Sequence, residues 1–307
     1  MSRKMFQYLF VAVFSVFFLS GCSVWKKDEP AVEAVETVET KAEQKAPRVQ
    51  AKGPETDEAI SDTPTPVEKI YRDAVASLNK DKFVEAAKLF DEVERQYPYS
   101  QWATRAQLMA SYAHYRNLRY DESVLALDRF IQLHPGDKNI VYAYYLRALC
   151  YYEQISDVRR DQKMTKLALE NLNQVVKRYP SSKYARDAQL KMDLTLDHLA
   201  GKEMEIGRYY LNHKQYQAAV NRFQRVTEEY QTTTHVPEAL HRLVETYLAL
   251  GIPVEAKKSA AVLGHNFPNS IWYKDSYALL KGDFPTTSLK DGQDDRSIYE
   301  KTIGRIF

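Results

Sequence analysis

Five stretches of one shape recur along the chain: FVEAAKLFDEVERQYP (83–98), YDESVLALDRFIQLHP (120–135), TKLALENLNQVVKRYP (165–180), YQAAVNRFQRVTEEYQ (216–231) and PVEAKKSAAVLGHNFP (253–268). Aligned, the fourth position is always small: Ala86, Ser123, Ala168, Ala219 and Ala256. The eighth is apolar (Phe90, Leu127, Leu172, Phe223, Ala260), and so is the eleventh (Val93, Phe130, Val175, Val226, Leu263). The fifteenth is aromatic or His (Tyr97, His134, Tyr179, Tyr230, Phe267), and Pro follows in every stretch but the one ending in Gln231. Steps of four and three residues put these side chains on one face of a helix. The small residue lets a neighbouring helix come close, and the Pro stops the helix.

Eight residues beyond the Pro position a small residue returns, at Ala106, Ala143, Ala188, Ala239 and Ser276. Each unit therefore reads as two antiparallel helices with small faces inward, stacked on the next pair. The units fall at about 67–99, 100–136, 137–181, 182–232 and 233–268, with a capping helix over 269–281. The pattern resembles the tetratricopeptide repeat, so the fold class is all-α: a solenoid of five helical hairpins. The units are spaced by 37, 45, 51 and 37 residues from Ala86 to Ala256, all longer than the usual tetratricopeptide period of about 34. The surplus is assigned to a charged loop at Ser156–Lys163 and to one long helix from about Ser182 to Asn212, despite Gly201. Residues 282–307 read as a weakly ordered tail, with a short amphipathic helix near Ser297–Ile306.

Composition agrees. Among 307 residues only 10 are Gly and 12 Pro, which favours helix over a turn-rich sheet fold. Net charge is +2, too balanced to point to nucleic acid or an anionic lipid surface. The two cysteines, Cys22 and Cys150, lie in unrelated contexts, so no internal disulfide is expected.

Residues 1–22 read MSRKMFQYLFVAVFSVFFLSGC. Arg3 and Lys4 precede an apolar run from about Phe6 to Leu19, too short to span a membrane and right for a signal sequence. It ends Leu19-Ser20-Gly21-Cys22, a bacterial lipobox. Residues 1–21 are thus a lipoprotein signal peptide, and Cys22 takes the lipid. Ser23, rather than Asp, after the Cys resembles the sorting signal for the outer membrane. Several acyl chains anchor stably where one would not. Residues 22–66 carry near-repeats of Ala, Val, Glu, Thr and Lys with a single aromatic, Trp25. They read as a disordered tether, and about 40 such residues span roughly 35 Å.

Catalytic and metal motifs are missing: no HExxH, no Cys-x2-Cys, no Gly-rich phosphate loop and no GxSxG. His241 and Glu245, four apart on a helix, lack an evident third ligand and read as a surface hydrogen bond. Asp193 and Asp197 read as a solvated acidic face, and Cys150 as a small core residue. The chain is expected to be no enzyme, with no metal and no cofactor other than the covalent lipid on Cys22.

The first helices of the second and third units carry Trp102, Arg105, Tyr112, Tyr115 and Arg116, then Asn139, Tyr142, Tyr144, Tyr145 and Arg147. Tyr, Trp and Arg dominate binding hot spots. In tetratricopeptide solenoids such helices line a concave groove, so Trp102, Arg105, Tyr112, Tyr115, Tyr142 and Tyr145 are the candidate lining for an extended peptide with aromatic side chains. Some of these rings are expected to pack between repeats instead.

Lipobox, tether and five hairpins together resemble the BamD (ComL/YfiO) family of outer-membrane lipoproteins. The likeness is carried by Tyr115-Arg116-Asn117 with Asp128-Arg129-Phe130-Ile131, and by His134-Pro135 with Asn139-Ile140. Tyr179-Pro180-x-Ser182-x-Tyr184, and Arg208-Tyr209-Tyr210 with Ala219-Val220-Asn221-Arg222, complete it, over about residues 67–280. The resemblance implies a non-catalytic subunit of the β-barrel assembly machine on the periplasmic face of the outer membrane. Its implied partners are a BamA-like barrel protein with POTRA domains, other assembly-machine lipoproteins and unfolded outer-membrane proteins. The membrane is met through the lipid alone, and no nucleic acid is bound. Arg222 matches the family position at the BamA interface. The longer tether and the tail after about Lys281 depart from better-known members. The competing reading is a periplasmic repeat adaptor serving cell division with Tol–Pal, or murein machinery. That class usually lacks a lipobox and begins with a coiled coil, whereas no heptads occur in 23–66.

Overall fold

The computed structural model describes Gly53 and residues 65–282. The signal sequence, Cys22, most of the 22–66 segment and the tail with its expected helix near 297–306 lie outside the described residues. Among the described residues every regular element is a helix. These are α1 (Pro66–Asn79), α2 (Phe83–Gln96), α3 (Gln101–Arg116), α4 (Tyr120–Leu133), α5 (Ile140–Tyr152) and α6 (Lys163–Arg178), followed by α7 (Lys183–Asn212), α8 (Tyr216–Glu229), α9 (Val236–Ala249), α10 (Pro253–Asn266) and α11 (Ile271–Lys281). Consecutive helices pack on one another in chain order. The odd-numbered helices also touch along one side: α1 on α3, α3 on α5, α5 on α7 and α9 on α11. Because α1, α3, α5 and the start of α7 meet across their intervening partners, they form one side of the stack, its inner wall.

The repeat positions explain the stacking. Ala86, Ser123, Ala168, Ala219 and Ala256, on the second helix of each hairpin, are all 0% exposed, and so are Ala106, Ala143, Ala188, Ala239 and Ser276 on the helices that follow. Phe90, Leu127, Leu172, Phe223, Val93, Phe130, Val175, Val226 and Leu263 fill the space between them, all buried. Alternating small and large residues across facing helices lets interiors reach the density of a molecular crystal. The second helix of each pair ends alike. Tyr97, His134, Tyr179, Tyr230 and Phe267 leave the helix with φ between −134 and −124, each amide bonding back to the carbonyl four residues earlier. A following Pro disfavours helical backbone. Tyr230 adopts the same geometry before Gln231, however, so packing of the ring suffices. Two residues after the Pro, Ser100, Ser182 and Ser270 cap the next helix, accepting from the amides of Ala103, Ala185 and Trp272. Each such cap contributes about 1 kcal/mol.

Within a hairpin the turns are tight. Asp81, Leu118, Lys214 and Gly251 adopt positive φ between α1 and α2, α3 and α4, α7 and α8, and α9 and α10. Only the last uses Gly, the residue with no Cβ to clash there. The third hairpin has residues 153–162 instead. Gln162 gathers that loop, donating to the carbonyls of Val158 and Arg160, while its Oε1 meets His198 Nδ1 on α7 at 3.1 Å. Lys202 donates to the Arg159 carbonyl at 2.9 Å, and Arg159 pairs with Glu205 at 3.2 Å. The long loop thus lies on the middle of the long helix, and the two extensions cover one another. Along its 30 residues α7 still leaves Leu190, Leu194 and Tyr209 exposed.

Gly201 and Gly207 permit close approach on α7. A Cβ on Gly201 would lie 3.2 Å from His235 Nε2, and one on Gly207 would lie 2.4 Å from Cε1 of the buried Phe223. Gly207→Ala is therefore expected to destabilise the fold by about 1–3 kcal/mol through overpacking. The sign opposes the gain of about 1 kcal/mol that Gly→Ala ordinarily gives inside a helix. Thermal and urea melts followed by far-UV circular dichroism check it; an unchanged or raised melting point would refute the close contact.

Candidate functional site

The inner wall of the amino-terminal half is aromatic. Trp102 on α3 is half-buried against Tyr71 of α1, centroids 4.9 Å apart, with the Arg105 guanidinium 5.3 Å over its ring. Further along α3, Tyr112 stacks on Tyr115 at 6.5 Å and its hydroxyl accepts from Arg116 at 3.1 Å. On α5, Tyr142 and Tyr145 both pack against Tyr184 of α7, at 5.6 and 5.2 Å. The Tyr145 hydroxyl donates to Asp187, which also accepts from Lys191 at 2.8 Å. Burial pushes the Tyr145 hydroxyl well up, and the bond to Asp187 adds to it, so this proton stays in place as a donor. Rings thus recur along the wall in three groups from α1 to α7, with guanidinium groups beside the first two.

The six candidates differ in how far they reach the surface. Tyr112, Tyr115 and Tyr145 are mostly buried, with Trp102 and Arg105 more open. Tyr142 is corrected. At 1% exposure it lies inside the wall, where burial, then its four tyrosine neighbours, raise its hydroxyl far above the ordinary range. It stiffens the wall and presents no surface to a peptide. Tyr144 and Arg147, on the same helix, lie elsewhere. Tyr144 packs on Tyr179 between Arg147 and Arg178, each 5.2 Å from its ring, and Arg147 reaches Asp128 and Gln174 towards α4 and α6. Tyr71, Tyr184 and Asp187 belong to the wall although their spacing does not single them out. The available signal is positional: Tyr184 follows the capping Ser182 at the start of α7.

The carboxy-terminal half carries charge instead. Arg222 on α8 is half-exposed and donates to Glu203 of α7 at 3.0 Å. Arg225 takes the other oxygen of Glu203 at 3.2 Å. The interface candidate is thus one arm of a fork held within the chain. Arg208 reaches Glu238 at 2.8 Å, and Arg242 links Glu238 with Glu245. His241 and Glu245 are not at the surface: both are buried, His241 bonding Ser276 at 2.9 Å and stacking on Trp272. Periodicity alone leaves them on a solvated face, but α11 folds back and covers them. Asp197 likewise accepts from the amide and hydroxyl of Thr234, tying α7 to the turn before α9.

Cys150 is buried and donates to Ser123. Burial pushes its thiol up to about 12, so it is chemically inert in the fold. Among the described residues no group of three or more His, Cys, Asp or Glu is placed to hold a metal, and no helix is long and apolar enough to cross a membrane.

A helical-hairpin solenoid with an aromatic inner wall and an ion-paired seam has the architecture of a scaffold. Comparison with known proteins places it more closely. The family model described as YfiO, outer membrane lipoprotein, matches residues 64–277. The outer membrane protein assembly factor BamD of Caulobacter vibrioides is 53% identical over 215 residues, which cover 70% of each chain. That of Rickettsia prowazekii is 47% identical over 221 residues, 72% of this chain and 88% of its own. That of Neisseria meningitidis serogroup A is 37% identical over 214 residues, 66% and 80%. The chain belongs to the YfiO/BamD family of outer-membrane protein assembly factors, non-catalytic scaffolds of the outer membrane.

The seam makes an acid prediction. Burial pushes the Glu245 carboxyl up, but Arg242 and then His241 outweigh it and hold it at about 2. The folded value lies below the unfolded one of about 4.3, so the stabilisation is complete above about pH 5 and is lost as pH falls towards 2. Melting temperature should drop across that window in the native chain. Glu245→Gln should be less stable at pH 7 and flatter from pH 5 to 2.5; parallel curves would show that Glu245 does not titrate with folding.

Proposed function

We propose that the chain is a lipid-anchored, non-catalytic subunit of the outer-membrane β-barrel assembly complex. Cys22 carries the acyl chains that hold it on the periplasmic face of the outer membrane, and 23–66 tethers the solenoid off the surface. The amino-terminal wall receives unfolded barrel proteins as extended segments. The charged seam around Arg222 meets a POTRA domain of a BamA-like subunit, with further assembly lipoproteins alongside. The groups of rings along one side of the stack, from Tyr71 to Tyr184, support this reading. A strand-like peptide offers side chains on alternate sides, and rigid rings with hydroxyl and guanidinium partners bind these at low entropic cost. Around Arg222, a guanidinium already oriented by Glu203 and still half-exposed can offer its remaining donors to a partner carboxylate.

Affinity capture of the tagged, lipidated chain from detergent-solubilised membranes tests it. A stoichiometric β-barrel protein bearing POTRA domains is expected, reduced at least tenfold by Arg222→Glu. Glu203→Gln releases Arg222 without reversing its charge and should weaken capture less. Recovery of Tol–Pal or murein-synthesis proteins, without a barrel protein, would overturn the reading. For the wall, Trp102→Ala should weaken binding of a fluorescent ten-residue peptide with aromatic residues at alternate positions by roughly five- to thirtyfold, the effect of about 1–2 kcal/mol at a hot spot.

A further inference from the structure

The long helix α7 is covered unevenly. Its first half packs on α5 and α6 through Tyr184, Asp187 and Ala188. Further round the helix the cover comes from α8, which has 14 residues against the 30 of α7 and reaches only the second half. Phe223 lies on Gly207, Arg222 and Arg225 reach Glu203, and the turn after α8 ends on Asp197, which accepts from Thr234. Short of Asp197, Leu190 and Leu194 stand 62% and 52% exposed. Arg186, Leu190, Leu194 and Asp197 follow at steps of four, four and three, so they share one stripe of the helix, and Gly201 is next in line. Gly201 closes the stripe: a Cβ there would lie 3.2 Å from His235 of the turn before α9 and 3.7 Å from Val158 of the long loop. The stripe is therefore a ledge of about four turns, roughly 20 Å long, stopped at Gly201 and open at Lys183.

Shape, backbone chemistry and charge select the occupant. Leucines four apart form a ridge that fits the groove of another helix, and the uncovered half of α7 is one helix of α8's length. An extended peptide does not suit the ledge. The main chain of α7 is bonded within its own helix, so a strand laid on the leucines would leave its amides and carbonyls facing apolar side chains unpaired. A helix brings its backbone already satisfied. The charges set its direction. Lys183 and Arg186 stand at the open end, and Asp193 and Asp197 at the stopped end. A helix antiparallel to α7 sets its positive amino-terminal end at the aspartates and its negative carboxy-terminal end at the cations. The two aspartates also repel an anionic lipid surface. We propose that the first half of α7 is the docking site for an amphipathic helix of a partner protein, lying antiparallel to α7. That helix carries aliphatic residues four apart, basic residues in its first turn and acidic residues in its last. It takes the place that α8 would fill if α7 had the length of the other helices. The site is separate from the aromatic wall and from Arg222, and its role goes beyond both.

The test places photoreactive p-benzoylphenylalanine at Leu190 of the full lipidated chain in its own bacterium, with Leu125 of α4, 73% exposed, as the control position. Intact cells are irradiated and the crosslinked peptides are sequenced by mass spectrometry. An adduct is expected at Leu190 and not at Leu125, on a peptide with aliphatic residues four apart, Lys or Arg in its first turn and Asp or Glu in its last. A synthetic, hydrocarbon-stapled copy of that peptide should bind the purified chain. Leu190→Ser with Leu194→Ser should weaken binding about tenfold, the scale of a lost hot spot. Both leucines are exposed, so this double variant should keep the melting curve of the native chain. Exchanging the charges at the two ends of the peptide should weaken binding about fivefold. Trp102→Ala and Arg222→Glu should leave it unchanged. No adduct at Leu190, an adduct to an extended segment or to a second copy of this chain, or binding indifferent to the double variant or to the charge exchange overturns the proposal. Loss of binding through Trp102→Ala also overturns it. None of these results touches capture of a barrel protein through Arg222, so the two readings fail separately.

Discussion

Everything in this solenoid depends on helices approaching one another at a residue with almost no side chain. The ten small positions, from Ala86 to Ser276, are fully buried, one on every helix from α2 to α11. Around them the large side chains have a single place to go. Phe90, Leu127, Leu172 and Phe223 fill the gaps beside the close contact, and Gly207 extends the rule where even a methyl group would meet Phe223. Because the contact repeats, stability is carried from unit to unit by neighbouring interfaces rather than by a single centre. The long α7 joins the two halves of that chain of contacts. Its Ala188 belongs to the core shared with α1–α6, while Ala200, Met204 and Leu211 belong to the core shared with α8 and α9.

That division also separates two kinds of surface. Upstream of α7 the inner wall is rings, with guanidiniums and one carboxylate that hold hydroxyls and side chains in place. Downstream it is carboxylates and guanidiniums: Glu203 with Arg222 and Arg225, and a chain from Glu205 through Arg208, Glu238 and Arg242 to Glu245. Rings recognise shape and apolar side chains with little loss of their own freedom. Ion pairs contribute little to affinity when exposed, but they orient partners and reject wrong charges. On the proposed function, the rings suit unfolded segments and the ion pairs a folded subunit.

The helices and their pairing were legible because they obey local rules. Steps of three and four residues choose the buried face, and small residues choose where helices touch. Serines two positions past the prolines cap the next helix. The long helix was legible too, although the reason for its length was not: it needed the loop at 153–162 to lie upon it, through Gln162, Arg159 and Lys202, and no spacing shows which distant loop covers which helix. The six groove candidates show the same limit. Sequence placed all of them on the first helices of two hairpins, yet could not separate Tyr142, deep in the wall, from Tyr145 beside it. Nor could it send Tyr144 and Arg147 round to α4 and α6, because on a helix hydrophobic on most sides, residue type no longer marks the exposed face.

By itself, then, the sequence determined the helical hairpins, their order, their small-residue contacts and the set of aromatic and charged groups, since each depends on neighbours within a few turns. The tertiary structure alone decided which members of that set share a surface. It buried His241 and Glu245 beneath α11, locked Arg222 to Glu203 and joined Tyr184 to the tyrosines of α5. Those arrangements arise from segments far apart in the chain meeting across packed faces. Their free energy comes from excluding water and matching charge at contacts that no local pattern encodes.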